Sequence, residues 1–479
     1  MARLSWDSSG NAATPSTPAA SVSVAEPTAG NGTVETGAFH PVPWWRLILP
    51  GLLFTATLAA LTDWPGPRHC GNVLSRYMTI ESLAHRGTLA ISESPLRALS
   101  GTPDVALFNR QFYSDKPPVL PALASVVYRL SGVTLSPRLD EFRRANWLLT
   151  VSIVGVSSGL ALVGLRWWLT RVPVSPLGAD LLTLGFGFTS LLLSYGVTFN
   201  NHSVAAGLVT LGTALALIES PSLGRRLRAV RGFGAGLCAG LAATIDIPVG
   251  GLLTLALGGA LIARTRRVPW AFLAGLVGPV ALHVILQVQI TGTPWPVEMY
   301  PEALAYPGSY WATEEGRWKE VQPRWLWGVE FLFSHQGWLT VTPALVVGLV
   351  GLGVALICPG HPLRHAAGVV SFVTLGLVVY YVFGVRRCDF AGGSFGTRHM
   401  LAISPLVLLF AADATARLKR GWAWGILALL MTFGGGYAVA GMLDPWTRID
   451  RPCDHLPLRD RIIKPLKWFT PYPMSTYPR

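Results

Sequence analysis

The most regular feature of the chain is a series of apolar windows, each about as long as a helix that crosses a bilayer. The first runs from Trp44 to Thr62, where Asp63 begins a polar stretch. Further windows lie near 147–165, 181–199, 204–218, 232–247, 249–263, 268–290, 338–358, 366–384, 400–415 and 421–442. The pattern predicts an all-α integral membrane protein, a bundle of about eleven transmembrane helices.

Two long polar stretches interrupt this series and divide the chain. Residues 63–146 form a first long loop and residues 291–337 a second, within a transmembrane domain at 44–442. Residues 1–43 are rich in Ala, Ser, Thr, Pro and Gly, and they carry too few large apolar side chains to order themselves. They are predicted to be a disordered tail, and residues 443–479 a C-terminal segment outside the bundle.

The basic residues predict the orientation of the bundle. Alternate short connections collect them: Arg166 and Arg171; Arg225, Arg226, Arg228 and Arg231; Arg264, Arg266 and Arg267; Arg364; Arg417, Lys419 and Arg420. The opposite short turns, 200–202 and 246–248, carry no Lys or Arg. Since cytoplasmic loops collect basic residues, the N-terminal tail is predicted to be cytoplasmic in a multi-pass cell-membrane protein. Both long loops and the C-terminal segment are then extracytoplasmic.

Composition agrees with this prediction and excludes other classes. Hydrophobic residues make up 51% of the chain, charged residues 13%, and the mean hydropathy is +0.43, which is too apolar for ordinary soluble domains. The net charge of +13 does not indicate nucleic-acid binding, because no basic run is interleaved with aromatic residues. The five cysteines lack the spacing of a metal site.

The first long loop contains the clearest candidates for chemistry. Asp115 and Lys116 are adjacent and precede Pro117 and Pro118, which restrict the local backbone. The pair is a candidate functional turn, although an ordinary solvated ion pair has the same sequence. Upstream, residues 76–84 have the spacing of an amphipathic helix, which either lies on the membrane surface or packs against the bundle.

Three later positions extend the list of candidates. His202 lies in the turn 199–203, where it is either a functional group or an interfacial cap, and Asp246 lies between two apolar segments, where an acid is costly unless it is used or exposed. Segment 389–399 has three glycines before Arg398, so that backbone amides and a guanidinium could hold a phosphate. A flexible turn with a positive anchor is the alternative.

Taken in order, these segments resemble the GT-C fold glycosyltransferases, which use polyprenyl-phosphate sugars. Within that family they are most similar to the bacterial group related to protein O-mannosyltransferases and to the sugar transferases of the lipopolysaccharide core. The resemblance covers about residues 45–442, and its matching motifs are 113–118, 201–203, 333–337 and 392–398. Many members carry an acidic pair just before an Arg-Tyr in the first outer loop, whereas Arg76-Tyr77 follows Val73-Leu74-Ser75 here.

The resemblance implies an inverting hexosyl- or pentosyltransferase whose site faces the extracytoplasmic side. A carboxylate would act as the general base, with Asp115 or Asp104 as first candidates and Asp63 as third. The departing phosphate would be stabilised by cations, and the candidates are Arg398, Lys116, Arg76 and His202. The second long loop is rich in aromatic residues, which would either stack on a sugar or acceptor or form an interfacial belt: Trp295, Tyr300, Tyr306, Tyr310, Trp311 and Trp318.

The implied partners are a polyprenyl-phosphate sugar, membrane lipid and a glycan, lipid or protein acceptor. No cofactor is identified, and a divalent metal ion stays open. Two other classes fit the same spans: a secondary transporter, with Asp246 as the coupling carboxylate, and a non-catalytic membrane protein of the same fold. The chain shows no repeated halves of the kind that many transporters have.

Overall fold

The computed structural model describes residues 42–63, 70–99, 102–219, 224–313, 323–385 and 394–446. The predicted tail and C-terminal segment lie almost entirely outside these residues. The described part is helical apart from one hairpin, and its α-helices are α1 Trp44–Leu61, α2 Gly71–Arg86, α3 Val119–Ser131, α4 Leu139–Leu149, α5 Val156–Leu169, α6 Pro176–Phe188, α7 Leu191–Gly196, α8 Asn201–Leu217, α9 Arg225–Ile245, α10 Ile247–Thr265, α11 Trp270–Thr291, α12 Pro301–Leu304, α13 Arg324–Phe333, α14 Trp338–Val341, α15 Ala344–Ile357, α16 Arg364–Val379, α17 Ser404–Leu418 and α18 Gly421–Leu443.

The structure confirms a multi-pass membrane protein built from helices, whereas the count of about eleven spans is not confirmed. Within the described residues, six helices are long and apolar enough to cross a membrane: α1, α10, α11, α18, the continuous helix Leu139–Leu169 and the helix Arg364–Gly384. The two continuous helices each contain a π-helical turn, at Thr150–Gly155 and Tyr380–Gly384. A seventh span is possible if the bent pair Arg324–Val341 and Ala344–Ile357 is taken as one.

Two predicted spans are broken, and each break has a local cause. The window 181–199 was expected to be one helix, but α6 ends at Phe188 and Ser190 starts α7 by accepting a hydrogen bond from the Leu192 amide. A serine that can cap a new helix competes with continuation of the old one. The window 338–358 bends by 97° before α15, next to Pro343.

Glycines bring the central helices together. In the contact between α9 and α11, Gly236 lies against the Phe272 carbonyl and Gly275 against the Phe233 carbonyl, so a side chain at either glycine would collide with backbone. Gly351 of α15 faces the Phe410 carbonyl of α17 in the same manner. Small residues allow such close approach where no hydrophobic effect drives helix association.

The first long loop folds into a cap whose apolar core also includes residues of the bundle and of the second long loop. Strands β1, Val105–Phe108, and β2, Gln111–Ser114, form an antiparallel hairpin, α2 packs against β2, and α3 packs against α2. Residues 73–82 of α2 are all buried. The interpretation of α2 as a helix lying on the membrane surface is therefore wrong, and it packs inside the protein.

The bundle has two ends of different chemistry. The site end, defined by the first long loop and by the junctions before α8, between α9 and α10, and before α17, holds the candidate residues. The opposite end, called the basic end here, holds the arginine-rich connections. There Arg166 pairs with Asp180 at 2.5 Å, and Arg231 donates hydrogen bonds to the last carbonyls of α8.

Candidate functional site

The hairpin places two carboxylates on one ammonium group. Lys116 Nζ lies 3.0 Å from Asp104 Oδ1 and 3.1 Å from Asp115 Oδ2. Asp104 precedes β1 and Asp115 follows β2, and the Asp115 amide donates to the Asp104 carbonyl at 3.4 Å. Strand pairing thus brings together two acids that are distant in sequence, and all three side chains are mostly buried.

Local contacts hold this turn against α2. The Ser114 hydroxyl donates to Ser75 Oγ at 3.1 Å and accepts from the Lys116 amide at 3.2 Å. Asp104 also lies close to the first residue of α2, because a Cβ atom at Gly71 would be 3.1 Å from Asp104 Oδ2. Glycine at this position allows the carboxylate to approach the amino end of the helix, where negative charge is favoured.

Burial gives the two members of the Asp115–Lys116 pair unequal protonation behaviour. Burial raises the pKa of Asp115 to about 6, the charge of Lys116 opposes this, and the charge of Asp104 adds to it. Burial by itself would lower the pKa of Lys116, but Asp104 and Asp115 outweigh it and raise that pKa. Asp115 is therefore a carboxyl group that titrates nearer neutrality, beside a lysine that stays charged.

Arg76 brings a second cation to the same place. Its Nη2 donates to Asn201 Oδ1 at 2.8 Å and its Nη1 donates to Asn72. Burial first, and then the charge of Arg398, lower the pKa of Arg76 to about 10, while Asp104 and Asp115 act in the other direction. Arg76 and Arg398 are thus close enough to repel each other, an arrangement that favours a bound anion.

Arg398 is fixed by the segment that precedes α17. The Thr397 hydroxyl donates to the carbonyls of Gln336 at 2.8 Å and Phe331 at 3.2 Å, which ties this segment to the connection between α13 and α14. The Arg398 guanidinium lies 5.0 Å from the centre of the Trp446 ring. Of the predicted glycine-rich turn, residues 389–393 lie outside the described part of the chain.

His202 and Asp246 form a pair at the site end. His202 Nδ1 lies 2.6 Å from Asp246 Oδ2, and both side chains are buried. The charges of Arg398 and Arg76 also act on His202. Arg76, Arg398 and His202 therefore lie close enough for their charges to interact. The charges of Asp104 and Asp115 also affect the pKa of Arg76.

Asp63, the third candidate for the base, has different surroundings. It follows α1 and accepts a hydrogen bond from the Asn146 side-chain amide, while the Asn146 oxygen accepts from Tyr77 at 2.7 Å. This network joins α1, α2 and α4. The contacts of Asp63 thus indicate that it connects helices, whereas those of Asp104 and Asp115 place both acids on Lys116.

Sequence reasoning missed Glu298 in the second long loop. Its side chain reaches solvent, yet the surrounding protein raises the pKa of Glu298 to about 7, by desolvation first and then through the charge of Asp115. Lys116 and Arg76 act in the opposite direction, and water reduces each of these effects. Glu298 is one of six glutamates in this loop, and their spacing gave no signal that could have indicated this position.

The aromatic residues of the second long loop pack against the first. The Tyr300 ring meets Phe108 edge-on with centroids 5.5 Å apart, and Tyr306 meets Phe112 at 5.3 Å. Trp311 Nε1 donates to the Pro103 carbonyl at 2.9 Å, beside Asp104. These contacts join the two loops over the hairpin. Within the described residues, no group of three or more His, Cys, Asp or Glu side chains is arranged to hold a metal ion.

Comparison with known proteins finds similarity among solved structures only. No protein-family model matches the sequence, and no curated protein matches it. The chain is similar to ArnT from Cupriavidus metallidurans in the apo state, with a TM-score of 0.44 and 15% identity over 80% of this chain and 62% of that one. With ArnT bound to undecaprenyl phosphate, the TM-score is 0.46 and the identity 14%, over 83% and 70% of the two chains.

The oligosaccharyltransferase of Archaeoglobus fulgidus in the apo form gives a TM-score of 0.44 and 15% identity, over 85% of this chain and 57% of that one. This chain thus spans less than two thirds of the length of apo ArnT and of the oligosaccharyltransferase.

Proposed function

We propose that this chain is a GT-C type membrane glycosyltransferase that moves a sugar from a polyprenyl-phosphate donor to an acceptor on the extracytoplasmic side. The observation that carries the proposal is the combination of buried cations and carboxylates at one end of a helical membrane protein. Arg76 and Arg398 repel each other there, and Lys116 holds Asp104 and Asp115. The motif resemblance supports the same function.

The reaction that suits these groups is a single displacement at the anomeric carbon. An acceptor hydroxyl attacks that carbon, its proton passes to a carboxylate, and the bond from the anomeric carbon to the phosphate oxygen breaks. The electron pair of that bond remains on the phosphate, which leaves with additional negative charge. Arg76, Arg398 and Lys116 would stabilise that charge, and one displacement inverts the configuration of the sugar.

Asp115 is the preferred base of the three candidates. Its Oδ1 atom is buried and has no hydrogen-bond partner among the described residues, so one carboxylate oxygen is not already engaged inside the protein. Its raised pKa brings its basicity closer to the working pH, which improves a general base. Asp104, in contrast, is engaged by Lys116 and lies against the start of α2.

The test is transfer of a radiolabelled sugar from a defined polyprenyl-phosphate sugar into the lipid, glycan and protein fractions of membranes containing the full chain. We expect Asp115→Asn and Asp104→Asn to lower the rate by about a hundredfold or more, and Arg398→Ala by about a hundred- to a thousandfold. Arg138→Ala is the matched control, because this arginine lies in the same loop with its side chain 83% exposed. Its rate should equal that of the unchanged protein.

Full transfer by all three variants would sink the assignment of the site. Absence of transfer by the unchanged protein, together with uptake of a sugar or glycolipid into sealed vesicles, would favour a transporter. The pairing of Asp246 with His202 gives the transporter no isolated membrane acid. Absence of both activities would favour the non-catalytic alternative.

A further inference from the structure

The pair formed by His202 and Asp246 has a feature that the proposed reaction does not use. His202 lies in the first turn of α8, behind the cap residue Asn200, and Asp246 occupies the junction of α9 and α10. Both backbones are therefore fixed by helix ends, and the Nδ1 to Oδ2 distance is 2.6 Å. The carboxylate accepts the Nδ1 proton, so the neutral ring keeps its lone pair on Nε2.

The second nitrogen of this imidazole is not used inside the protein. Among the described residues, His202 Nε2 has no hydrogen-bond partner. Its other neighbour is the His399 ring, which meets it edge-on with centroids 5.2 Å apart and is itself stacked on Tyr381 at 4.2 Å. The positive charges that act on His202 are those of Arg398 and Arg76.

A second histidine–aspartate pair in the same chain shows how a purely structural pair is completed. At the basic end, His361 Nε2 lies 3.1 Å from Asp413 Oδ2, and His361 Nδ1 accepts the Leu363 amide at 3.2 Å. Both ring nitrogens of His361 therefore face a partner inside the protein, Nδ1 through a hydrogen bond and Nε2 at ion-pair distance without hydrogen-bond geometry, and Asp413 is also bound by Arg417. His202 differs because its Nε2 faces no partner among the described residues, while the charges of Arg398 and Arg76 act on the ring.

We propose that Asp246 is a positioning residue, which holds His202 so that Nε2 binds the phosphate of a lipid monophosphate together with Arg398 and Arg76. This inference rests on the proposed function, and it identifies the phosphate of the carrier lipid as the ligand of His202. Asp246 acts through His202 and does not touch the phosphate. The role resembles that of a carboxylate that fixes the tautomer of a catalytic histidine.

The chemistry of the two partners makes this binding depend on one proton. A phosphate monoester has a second pKa of about 6 and an ordinary histidine a pKa of about 6.5. Nε2 and a phosphate oxygen form a hydrogen bond when one of the two atoms carries a proton. It does not matter which of them carries it. The groups that face His202 are Asp246, His399, Arg398 and Arg76, and burial together with the charges of His202, Arg398 and Lys116 holds the pKa of His399 well below its usual range. His399 is therefore neutral and does not supply that proton.

The experiment measures binding of farnesyl phosphate to the purified full-length protein by calorimetry at about pH 6 and about pH 8, on either side of the range in which the shared proton is lost. For the unchanged protein we expect the affinity for farnesyl phosphate to be about tenfold lower at the higher pH than at the lower pH. His202→Gln should bind about tenfold more weakly at the lower pH, with most of the pH dependence gone, since a hydrogen bond to a charged group is lost. Asp246→Asn should behave similarly, and Asp246→Glu should restore part of the affinity.

The matched controls are His361→Gln and Asp413→Asn, which break the other buried pair. They should lower thermal stability and leave the affinity for farnesyl phosphate and its pH dependence unchanged. If Asp246→Asn binds farnesyl phosphate with unchanged affinity and pH dependence, or if the His361 variant loses both to the same extent, Asp246 has no special role and the inference is overturned.

A second measurement uses the unchanged protein, so it tests the inference even if the variants do not fold. Diethyl pyrocarbonate modifies neutral imidazole nitrogens, and peptide mapping of the unchanged protein locates the modified histidines. We expect farnesyl phosphate to protect His202 and not His365. Equal modification of His202 with and without the ligand contradicts the inference. Protection of His202 without any sugar transfer would uphold the inference and contradict the proposed function. Normal sugar transfer by Asp246→Asn, with unchanged binding of farnesyl phosphate, would uphold the proposed function and contradict the inference.

Discussion

Lys116 stands between two carboxylates whose surroundings differ, and that difference bears on their roles. Asp104 is bound by Lys116 and lies against the first residue of α2, so its negative charge is well compensated. Asp115 shares the same lysine, but its second oxygen is buried without a hydrogen bond in the described part of the chain. Desolvation makes a carboxylate a stronger base, as it does for Asp115. The two acids are therefore not interchangeable.

The first prediction is the pH dependence of transfer. A base must be ionised to accept the acceptor proton, and burial raises the pKa of Asp115 to about 6. We therefore expect kcat/KM to rise as the pH increases through about 6 and to fall by about tenfold for each pH unit below it. Initial rates between about pH 5 and pH 8 measure this. The control is Glu298→Gln, because Glu298 also has a raised pKa. Loss of the rising limb in that variant, with the limb retained in the residual activity of Asp115→Asn, would identify Glu298 instead.

The site was predictable where its residues are neighbours in sequence and not where the fold brings them together. The adjacency of Asp115 and Lys116 and the prolines after them are visible in the chain, whereas the pairing of Asp104 with the same lysine requires the hairpin. Asp246 was expected as an acid near the membrane, but its partner His202 is 44 positions away in sequence. Such partners follow from helix packing, which local patterns do not encode.

At the scale of elements, the apolar windows predicted the helices and missed their interruptions. The hairpin escaped detection because its strands have four residues each and its turn, Asn109-Arg110, lacks glycine. Both turn residues nevertheless have positive φ, at 48° and 64°, as a tight hairpin turn requires. A short hairpin inside a polar loop has too few residues for an alternation signal.

The second prediction concerns the amino end of α8, which presents both Asn201 and His202 to the site. Asn200 Oδ1 accepts the Ser203 amide at 2.8 Å, and its side-chain amide donates to the carbonyls of Tyr195 and Thr198. We expect Asn200→Ala to destabilise the protein by about 1–2 kcal/mol, as loss of a helix cap does, and to reduce sugar transfer more than that loss of stability explains. Thermal unfolding and transfer rates of purified protein measure the two effects.

The comparison that isolates the site is Ser175→Ala, which removes the cap of α6 at the basic end, where Ser175 Oγ accepts the Gly178 amide. That variant should lose stability and keep its transfer rate below its unfolding temperature. Equal loss of transfer in the two variants would show that helix capping in general, and not the placement of Asn201 and His202, limits activity.

At the scale of the whole molecule, the charged residues at the two ends of the bundle make different kinds of contact. Arginines at the basic end bind helix carbonyls and acids of neighbouring helices, as Arg231 and Arg166 do. Cations at the site end include Arg76 and Arg398, which act on each other. The basic end therefore has the composition of a cytoplasmic face, and the site end is expected on the opposite side of the membrane.

The third prediction tests that orientation with one natural cysteine. Cys358 is an exposed free thiol at the basic end, between α15 and α16. With the other four of the five cysteines replaced by serine, we expect a membrane-impermeant maleimide to leave Cys358 unlabelled in intact cells and to label it after lysis. The matched variant lacks all native cysteines and carries Thr134→Cys, an exposed position between α3 and α4 at the site end, and it should be labelled from outside. The reverse pattern would put the charged cluster in the cytoplasm, and an acceptor or donor on the outer surface would then be excluded.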